Sequence, residues 1–361
     1  MTTAAVSPDG LLPEDDTELS YARTVDRDLV HRDSLGEVFL TDLKATGPTG
    51  PADHREAYAA AAQLPRSHAY YGDHLLRPVA YDPVLLLETC RQATLAGAHE
   101  FYGVPRDHRF ILTHLRINLV RPEGAVVGAA PCQLSLRVRV SAYRHREGRT
   151  TGLDHEVGLY VRGMRIGSAL VGLRFKSPDD YLRLRLGNRD GKPLPSSAAL
   201  VDRFQGATVD PYRVGRANQG NVVLADCEVT NGVGRAALLT PAGHPSMFDH
   251  PQDHLPGMVI AEGARQLALL TALETLGSSP SRTPLTGLSV VFNRFGELDK
   301  PTELRCDVPR DPLPAGVAWT QGGPLDPDDT TEGQLVHGTC GQDGDDLCVF
   351  SLRLGPAGAR S

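Results

Sequence analysis

One unusual helical pattern occurs twice in this chain. Residues 82–93 read DPVLLLETCRQA, and residues 256–267 read PGMVIAEGARQL. Each copy opens on a helix-start signal, runs through consecutive apolar residues and reaches a Glu, with an Arg-Gln pair three and four positions further on. The trio is Glu88, Arg91 and Gln92 in the first copy and Glu262, Arg265 and Gln266 in the second. The segments before them match as well: VHRDSLGEVFLTD (30–42) returns as VGRANQGNVVLAD (214–226). Such duplication means one supersecondary unit used twice. A chain of 361 residues has room for two units of roughly 150–180 residues each. A charged trio at the same place in both points to a site shared between two similar halves.

Around Glu88 the pattern is apolar on nearly every side (Val84, Leu85, Leu86, Leu87, Ala93, Leu95, Ala96), as in a helix buried within a fold. Glu88, Arg91 and Gln92 share one face, because residues three and four apart are helical neighbours. Burying a carboxylate and a guanidinium is costly unless they are paired and hydrogen-bonded. Two readings follow from the residues: a structural ion pair in each helix, or a cleft lined by both helices.

The flanking pattern predicts α+β architecture. Helices are expected over about 83–102 and 257–276, the first stopped by Gly103-Val104-Pro105. Period-2 alternation such as LSLRVRVSAY marks half-buried strands near 36–44, 109–120, 132–143, 154–162 and 164–176. The second half repeats them near 220–229, 285–295, 302–309, 315–321, 332–340 and 346–354. Residues 45–81 read as a loop. A parallel sheet would need a helix between successive strands, and none is indicated. The expected division is a disordered extension (1–25), a first repeat (26–178), a polar Pro- and Gly-containing linker (179–211), a second repeat (212–355) and a short tail (356–361).

A net charge of −7 argues against nucleic acid as a partner. The densest basic stretch (Arg137, Arg139, Arg144, His145, Arg146, Arg149) follows strand alternation and reads as a solvated face. No apolar run approaches the ~20 residues that span a bilayer, and the N-terminus lacks the basic and hydrophobic regions of a secretory signal. A cytoplasmic protein that does not act on membranes is expected. The six cysteines have no C-x-x-C spacing, so no metal site is expected. Cys340 and Cys348 flank a QDGDD turn and are placed to face each other across a hairpin, as reduced thiols.

The stretch FDHPQDHLPGMVIAEGARQ (248–266) resembles the active-site region of hot-dog dehydratases of fatty-acid metabolism. These carry a His before Pro-Gly, an apolar run and then an acidic residue on a central helix. Here His250 sits two residues closer to the Glu than in that pattern, and only the second repeat keeps Pro-Gly. The whole chain more closely resembles the A-factor synthase family, on VHR…EVFLTD (30–42), PRSHAYY (65–71), DPVLLLETCRQA (82–93) and DHLPGMVIAEGARQ (253–266). The resemblance implies two tandem hot-dog repeats, each an antiparallel sheet wrapped around a long helix, fused as a pseudo-dimer. It also implies transfer of a β-ketoacyl group from an acyl carrier protein to the hydroxyl of dihydroxyacetone phosphate, without a cofactor, toward γ-butyrolactone or butenolide signals. The family's proposed key residues map to Glu88 and Arg265.

That chemistry needs a base for a weakly nucleophilic alcohol, donors for the tetrahedral oxyanion and a grip on phosphate. Glu88 in an apolar setting is expected to have a raised pKa suited to a general base. Arg265 offers phosphate a planar fork. Pseudo-symmetry suggests two crevices, pairing Glu88 with Arg265 and Glu262 with Arg91. Gln92 and Gln266 orient charges or meet substrate, and His68 in PRSHAYY is a further substrate-binding candidate. His250 and His254 match a dehydratase pair or serve turns, as Asp249 and Asp253 do. His99, Arg116 and Arg294 are peripheral candidates. Two other functions stay open on the residues alone: an acyl-thioester hydrolase or dehydratase, and a non-catalytic acyl- or lactone-binding module.

Overall fold

A computed structural model describes residues 18–46, 58–200, 206–311 and 331–356. The strand expected at 315–321 and most of the N-terminal extension lie outside the described residues. So do parts of the linker and the tail. Two 20-residue helices stand where the repeated pattern put them: α1 (Pro83–Tyr102) and α3 (Gly257–Leu276). Asp82 caps α1 by accepting a hydrogen bond from the Val84 N–H (2.8 Å), and Pro83 supplies a first position that needs no donor. Both helices end on a left-handed glycine, Gly103 at φ +63° and Gly277 at φ +70°, a conformation that costs glycine no Cβ clash. Each helix is buried over most of its surface, as its all-round apolar character requires.

The strands are β1 (Leu40–Ala45), β2 (Tyr58–Leu64), β3 (Arg109–Leu119), β4 (Cys132–Arg146), β5 (Arg149–Val161) and β6 (Met164–Lys176) in the first half. The second half has β7 (Leu224–Thr230), β8 (Val233–Leu238), β9 (Leu285–Phe292), β10 (Glu303–Asp307), β11 (Gln334–Gln342) and β12 (Asp345–Leu354). Among the described residues all twelve form one antiparallel sheet, in the order β1-β2-β4-β5-β6-β3-β9-β12-β11-β10-β8-β7. Read from either end, the order is the same, so β3 and β9 are equivalent strands that pair at the centre. The halves each wrap around their own helix, and the sheet runs through both without a break. This is the double hot-dog that the sequence implies.

Short hairpins are set by X-Gly turns with two successive positive φ values: Glu147-Gly148, Arg162-Gly163, Asn231-Gly232 and Asp343-Gly344. These are turns whose twist matches paired strands. The last of them brings Cys340 opposite Cys348; both thiols are buried and free.

Four local expectations change. Strand β2 lies in what reads as a loop, because YAAAAQL is too alanine-rich to show alternation; Ala59 to Ala62 are wholly buried. Strand β8 had likewise given no separate signal. The segment between the halves carries an 11-residue helix, α2 (Pro178–Asn188), capped by the Ser177 hydroxyl. Residues 18–25 are tied to the sheet: the Ser20 N–H donates to Asp42, Tyr21 bonds Ser135 and the Val25 N–H donates to the Leu40 carbonyl.

Candidate active site

Each trio sits at the centre of a buried polar cluster. The Glu88 carboxylate is wholly buried. It accepts from Arg32 Nη2 (2.6 Å), from Arg91 Nε and Nη2 (2.7 and 2.9 Å) and from Gln92 Nε2 (3.0 Å). Gln92 is held in turn by the Phe39 N–H and the Glu37 carbonyl. Around Glu262 the arrangement repeats. It accepts from Arg216 Nε (3.0 Å), Arg265 Nη2 (2.8 Å), Gln266 Nε2 (2.5 Å) and the Tyr70 hydroxyl (3.2 Å). Gln266 is locked by the Val223 N–H and the Asn221 carbonyl.

The expected crosswise pairs do not form. Each Glu binds the Arg of its own helix, because three residues along one face is within direct reach. The halves meet through loops instead. Asp249 accepts from Arg32 Nη1 (2.9 Å) and from the Asp33 and Ser34 N–H groups (2.8 and 3.3 Å). Asp73 accepts from the Ala217 and Asn218 N–H groups (3.3 and 3.1 Å). HAYYGDH (68–74) and HPSMFDH (244–250) are therefore a further internal repeat, and each clasps the opposite half. His68 Nδ1 accepts from the Tyr70 and Tyr71 N–H groups, and His244 Nδ1 from those of Ser246 and Met247. His68 Nε2 lies 3.3 Å from Glu37 and His244 Nε2 lies 2.8 Å from Asn221, its counterpart. Both histidines thus hold loops together.

The raised pKa expected for Glu88 is reversed. Burial pushes the carboxyl up, but the Arg32 and Arg91 guanidiniums outweigh it and hold the group at about 2. Asp249 is held well below the usual carboxylate range; burial again opposes the shift, against His250 and Arg32. His31 is pushed down to about 3 by burial and by its neighbour His99, so it is neutral at physiological pH.

The two clefts differ despite this symmetry. The first is a cavity of about 150 Å³ lined by His31, Arg32, Arg91, Asp249, His250 and Gly257. It adjoins a second cavity of about 630 Å³, with Phe110, Leu112, His254 and Gly257 common to both linings. The N-terminus of α3 faces it, and no side chain caps that helix end. Its counterpart, lined by His74, Asp82, Pro83 and Arg265, encloses only about 50 Å³ and is walled by Pro280 and Pro284. There Asp82 occupies the position equivalent to Pro256. Its carboxylate caps α1 and accepts from Arg265 Nη1 at 3.0 Å. Arg265 is thus bound by two carboxylates, Asp82 and Glu262, whereas the salt bridge of Arg91 is to Glu88.

His250 and His254 both line the open cleft. His250 Nδ1 lies 2.7 Å from Asp249 Oδ1, and Gln252 Nε2 approaches His250 Nε2 at 2.5 Å. Since an amide NH₂ only donates, Nε2 is the acceptor and Nδ1 carries the proton toward Asp249. His254 Nδ1 lies 2.5 Å from Asp253. The peripheral candidates are elsewhere: His99 bonds His31 and the Val104 carbonyl, Arg116 is buried, and Arg294 pairs with Asp345 at the surface. Sequence reasoning missed Arg32, Arg216, Tyr70 and the clasping role of Asp73 and Asp249. The signal was available in the third position of VHR and VGR and in the alignment of 68–74 with 244–250.

Two fused hot-dog units, with a polar cluster and a cleft at each helix, define a double hot-dog protein. The family model of the A-factor biosynthesis hotdog domain (AfsA) matches residues 14–175 and 200–316. A 2-oxo-3-(phosphooxy)propyl 3-oxoalkanoate synthase of Streptomyces virginiae is 38% identical over 343 residues, 93% of this chain and 98% of the relative. A protein of the same name from Streptomyces griseus is 31% identical over 311 residues, 83% of this chain and 87% of that one. Among solved structures, the dehydratase domain of a mycocerosic acid synthase-like polyketide synthase overlays with a TM-score of 0.49 at 11% identity, covering 90% of this chain and 97% of that domain. The chain belongs to the A-factor biosynthesis hotdog family.

Proposed function

We propose that this protein is an acyltransferase that moves a β-ketoacyl group from a carrier-protein thioester to the hydroxyl of dihydroxyacetone phosphate. The relatives' name describes the ester such a reaction makes. The observation that carries the reading is the pairing, in one cleft, of a guanidinium-lined pocket with an uncapped helix N-terminus and a large adjoining cavity. The Arg91 guanidinium and the helix terminus suit an anionic acceptor and a developing oxyanion. A thioester hydrolase needs no phosphate grip.

The acceptor's phosphate lies against Arg91, and its hydroxyl takes the place of the Gln252 amide at His250 Nε2. His250 removes the hydroxyl proton while Asp249 holds the imidazole by Nδ1–H and stabilises the imidazolium. The alkoxide oxygen attacks the thioester carbonyl carbon. The resulting oxyanion meets the N-terminal amides of α3. Collapse breaks the carbon–sulfur bond, and the thiolate takes the proton back from His250. Glu88 is anionic here and fixes Arg32 and Arg91; a carboxyl held at about 2 is a poor proton acceptor at neutral pH. Base and phosphate grip thereby pass from Glu88 and Arg265 to His250 and Arg91, while Glu262, Gln266 and Arg265 hold the opposite cluster. Among the described residues no helix is long and apolar enough to cross a membrane.

The test mixes purified protein with β-ketoacyl thioesters, with and without dihydroxyacetone phosphate, and follows products by mass spectrometry. A phosphorylated β-ketoester that needs the triose is expected. Free β-keto acid released at the same rate without it would establish the hydrolase instead.

A further inference from the structure

We propose that the Tyr71 hydroxyl binds the ketone oxygen of the triose acceptor and so selects a ketone among short phosphorylated alcohols. This rests on the acyl-transfer reading above. In that reading the pocket of about 150 Å³ takes the acceptor, with its phosphate at Arg91 and its hydroxyl at His250. Dihydroxyacetone phosphate carries its ketone on the carbon between those two ends. A carbonyl oxygen only accepts, so the wall has to supply a donor. Tyr71 lines the pocket and is 3% exposed. Among the described residues its hydroxyl makes no hydrogen bond. A phenol kept from bulk water and given no protein partner is free to meet a ligand.

The phenol is held in place from both sides. Its ring packs on Phe39, His68 and Tyr70, with centroids 5.8, 4.9 and 4.6 Å away. Its N–H donates to His68 Nδ1 at 3.2 Å. Arg216 Nη1 donates to the Tyr70 and Asp73 carbonyls (2.7 and 3.2 Å), and Asn221 Nδ2 donates to the Asp73 carboxylate at 2.7 Å. Residues of the second half thus fix the loop that presents Tyr71, and neighbours that lock a side chain set its contact geometry. Burial and the Glu88 carboxylate hold the phenol well above its usual pKa, against Arg32 and Arg91, so it stays protonated and donates. The same charges place it at the Arg91 end of the pocket, where the phosphate and the neighbouring ketone lie. Ser246 also brings a hydroxyl to the lining, but it aligns with Tyr70; the position matching Tyr71 is Met247, which has none.

The test measures binding of dihydroxyacetone phosphate and of 3-hydroxypropyl phosphate by calorimetry on the full chain. The second ligand keeps the hydroxyl and the phosphate and lacks the ketone. Tyr71→Phe should weaken dihydroxyacetone phosphate roughly 3- to 10-fold, for one neutral hydrogen bond, and leave 3-hydroxypropyl phosphate unchanged. The melting temperature should stay at the wild-type value, because the hydroxyl has no protein partner to lose. Equal weakening of both ligands, or of neither, overturns the proposal. So does the expected pattern arising from Ser246→Ala and not from Tyr71→Phe, or a wild type that binds no dihydroxyacetone phosphate. If Tyr71→Phe separates the two ligands but no ester forms from β-ketoacyl thioesters, the ketone contact stands and the transfer reading falls. If the ester forms and the ligands are not separated, the transfer reading stands and the contact falls.

Discussion

The Arg91 cleft and the Arg265 cleft are built from equivalent residues, yet one encloses about 150 Å³ and the other about 50 Å³. Each has two arginines, a buried Glu, a clasping Asp and a His on the loop before the helix: Arg32, Arg91, Glu88, Asp249 and His250 on one side, Arg216, Arg265, Glu262, Asp73 and His74 on the other. The difference is one carboxylate and a wall of prolines. Asp82 adds a negative charge where Pro256 adds none, and it occupies both the helix terminus and Arg265. A cleft of about 50 Å³ remains, against about 150 Å³ with its adjoining cavity. Duplicated residues therefore do not imply duplicated chemistry; the electrostatics of the helix start decide which copy can take an anion.

The sharpest way to break this comparison is to remove the two loop histidines separately. His250→Ala should cost about 10²–10⁴ in kcat, the usual contribution of a general base. His74→Ala, whose ring bonds the Ala80 carbonyl, should leave kcat within a few-fold. Equal losses in steady-state assays would mean that both clefts work or that neither residue is the base.

Acid stability tests the Glu88 cluster. Its folded carboxyl is depressed from 4.5 to about 2, so the unfolded chain binds the extra proton between those values. The stabilisation is therefore complete above about 4.5 and is lost as pH falls toward 2, on the order of 3 kcal/mol for this group. Urea titrations stepped through that window should show a steeper loss for wild type than for Glu88→Gln. Parallel curves would remove the cluster's claim to hold Glu88 ionised.

Arginine replacement comes next. Arg91→Lys should raise the acceptor KM roughly 10- to 150-fold, for one charge-assisted bond worth about 1.5–3 kcal/mol. Arg265→Lys should lower the melting temperature and leave that constant alone. The reverse outcome, read with donor and acceptor varied separately, would return the phosphate to Arg265 and reinstate the pairing that the sequence suggests. The smallest effect is expected from making the open cleft resemble the closed one. Pro256→Asp places a carboxylate at the α3 terminus and should raise the acceptor KM about tenfold, a loss of about 1.4 kcal/mol, within the up to ~2 kcal/mol of a partly buried helix-end charge. An unchanged constant would show that closure depends on the proline wall and not on charge.

The helices, the antiparallel class and the pseudo-symmetry were legible because all-round apolar runs with Glu-x-x-Arg-Gln are rare and occur twice. Strand β2 was not, since four alanines in a row carry no period. The state of Glu88 was missed for a different reason. Its raised pKa followed from burial alone; of the two opposing charges, Arg91 shares its helix face and Arg32 lies 56 residues away in the chain. Asp249 read as a turn residue because its partners, the Asp33 and Ser34 amides, belong to the other half. Long-range charge pairing is the part of a site that local pattern does not carry.

The crossed loops have an evolutionary consequence. In a symmetric homodimer every substitution is made at both sites at once, so a carboxylate that closes one cleft would close its twin. Covalent fusion removes that constraint. Residues 68–74 and 244–250 each reach into the opposite half, so neither half is complete alone, and the joined chain keeps the two in fixed ratio and at high local concentration. One copy is then released from selection for turnover and can become scaffold, with Asp82 and Arg265 tying together a unit whose duty is to support its neighbour.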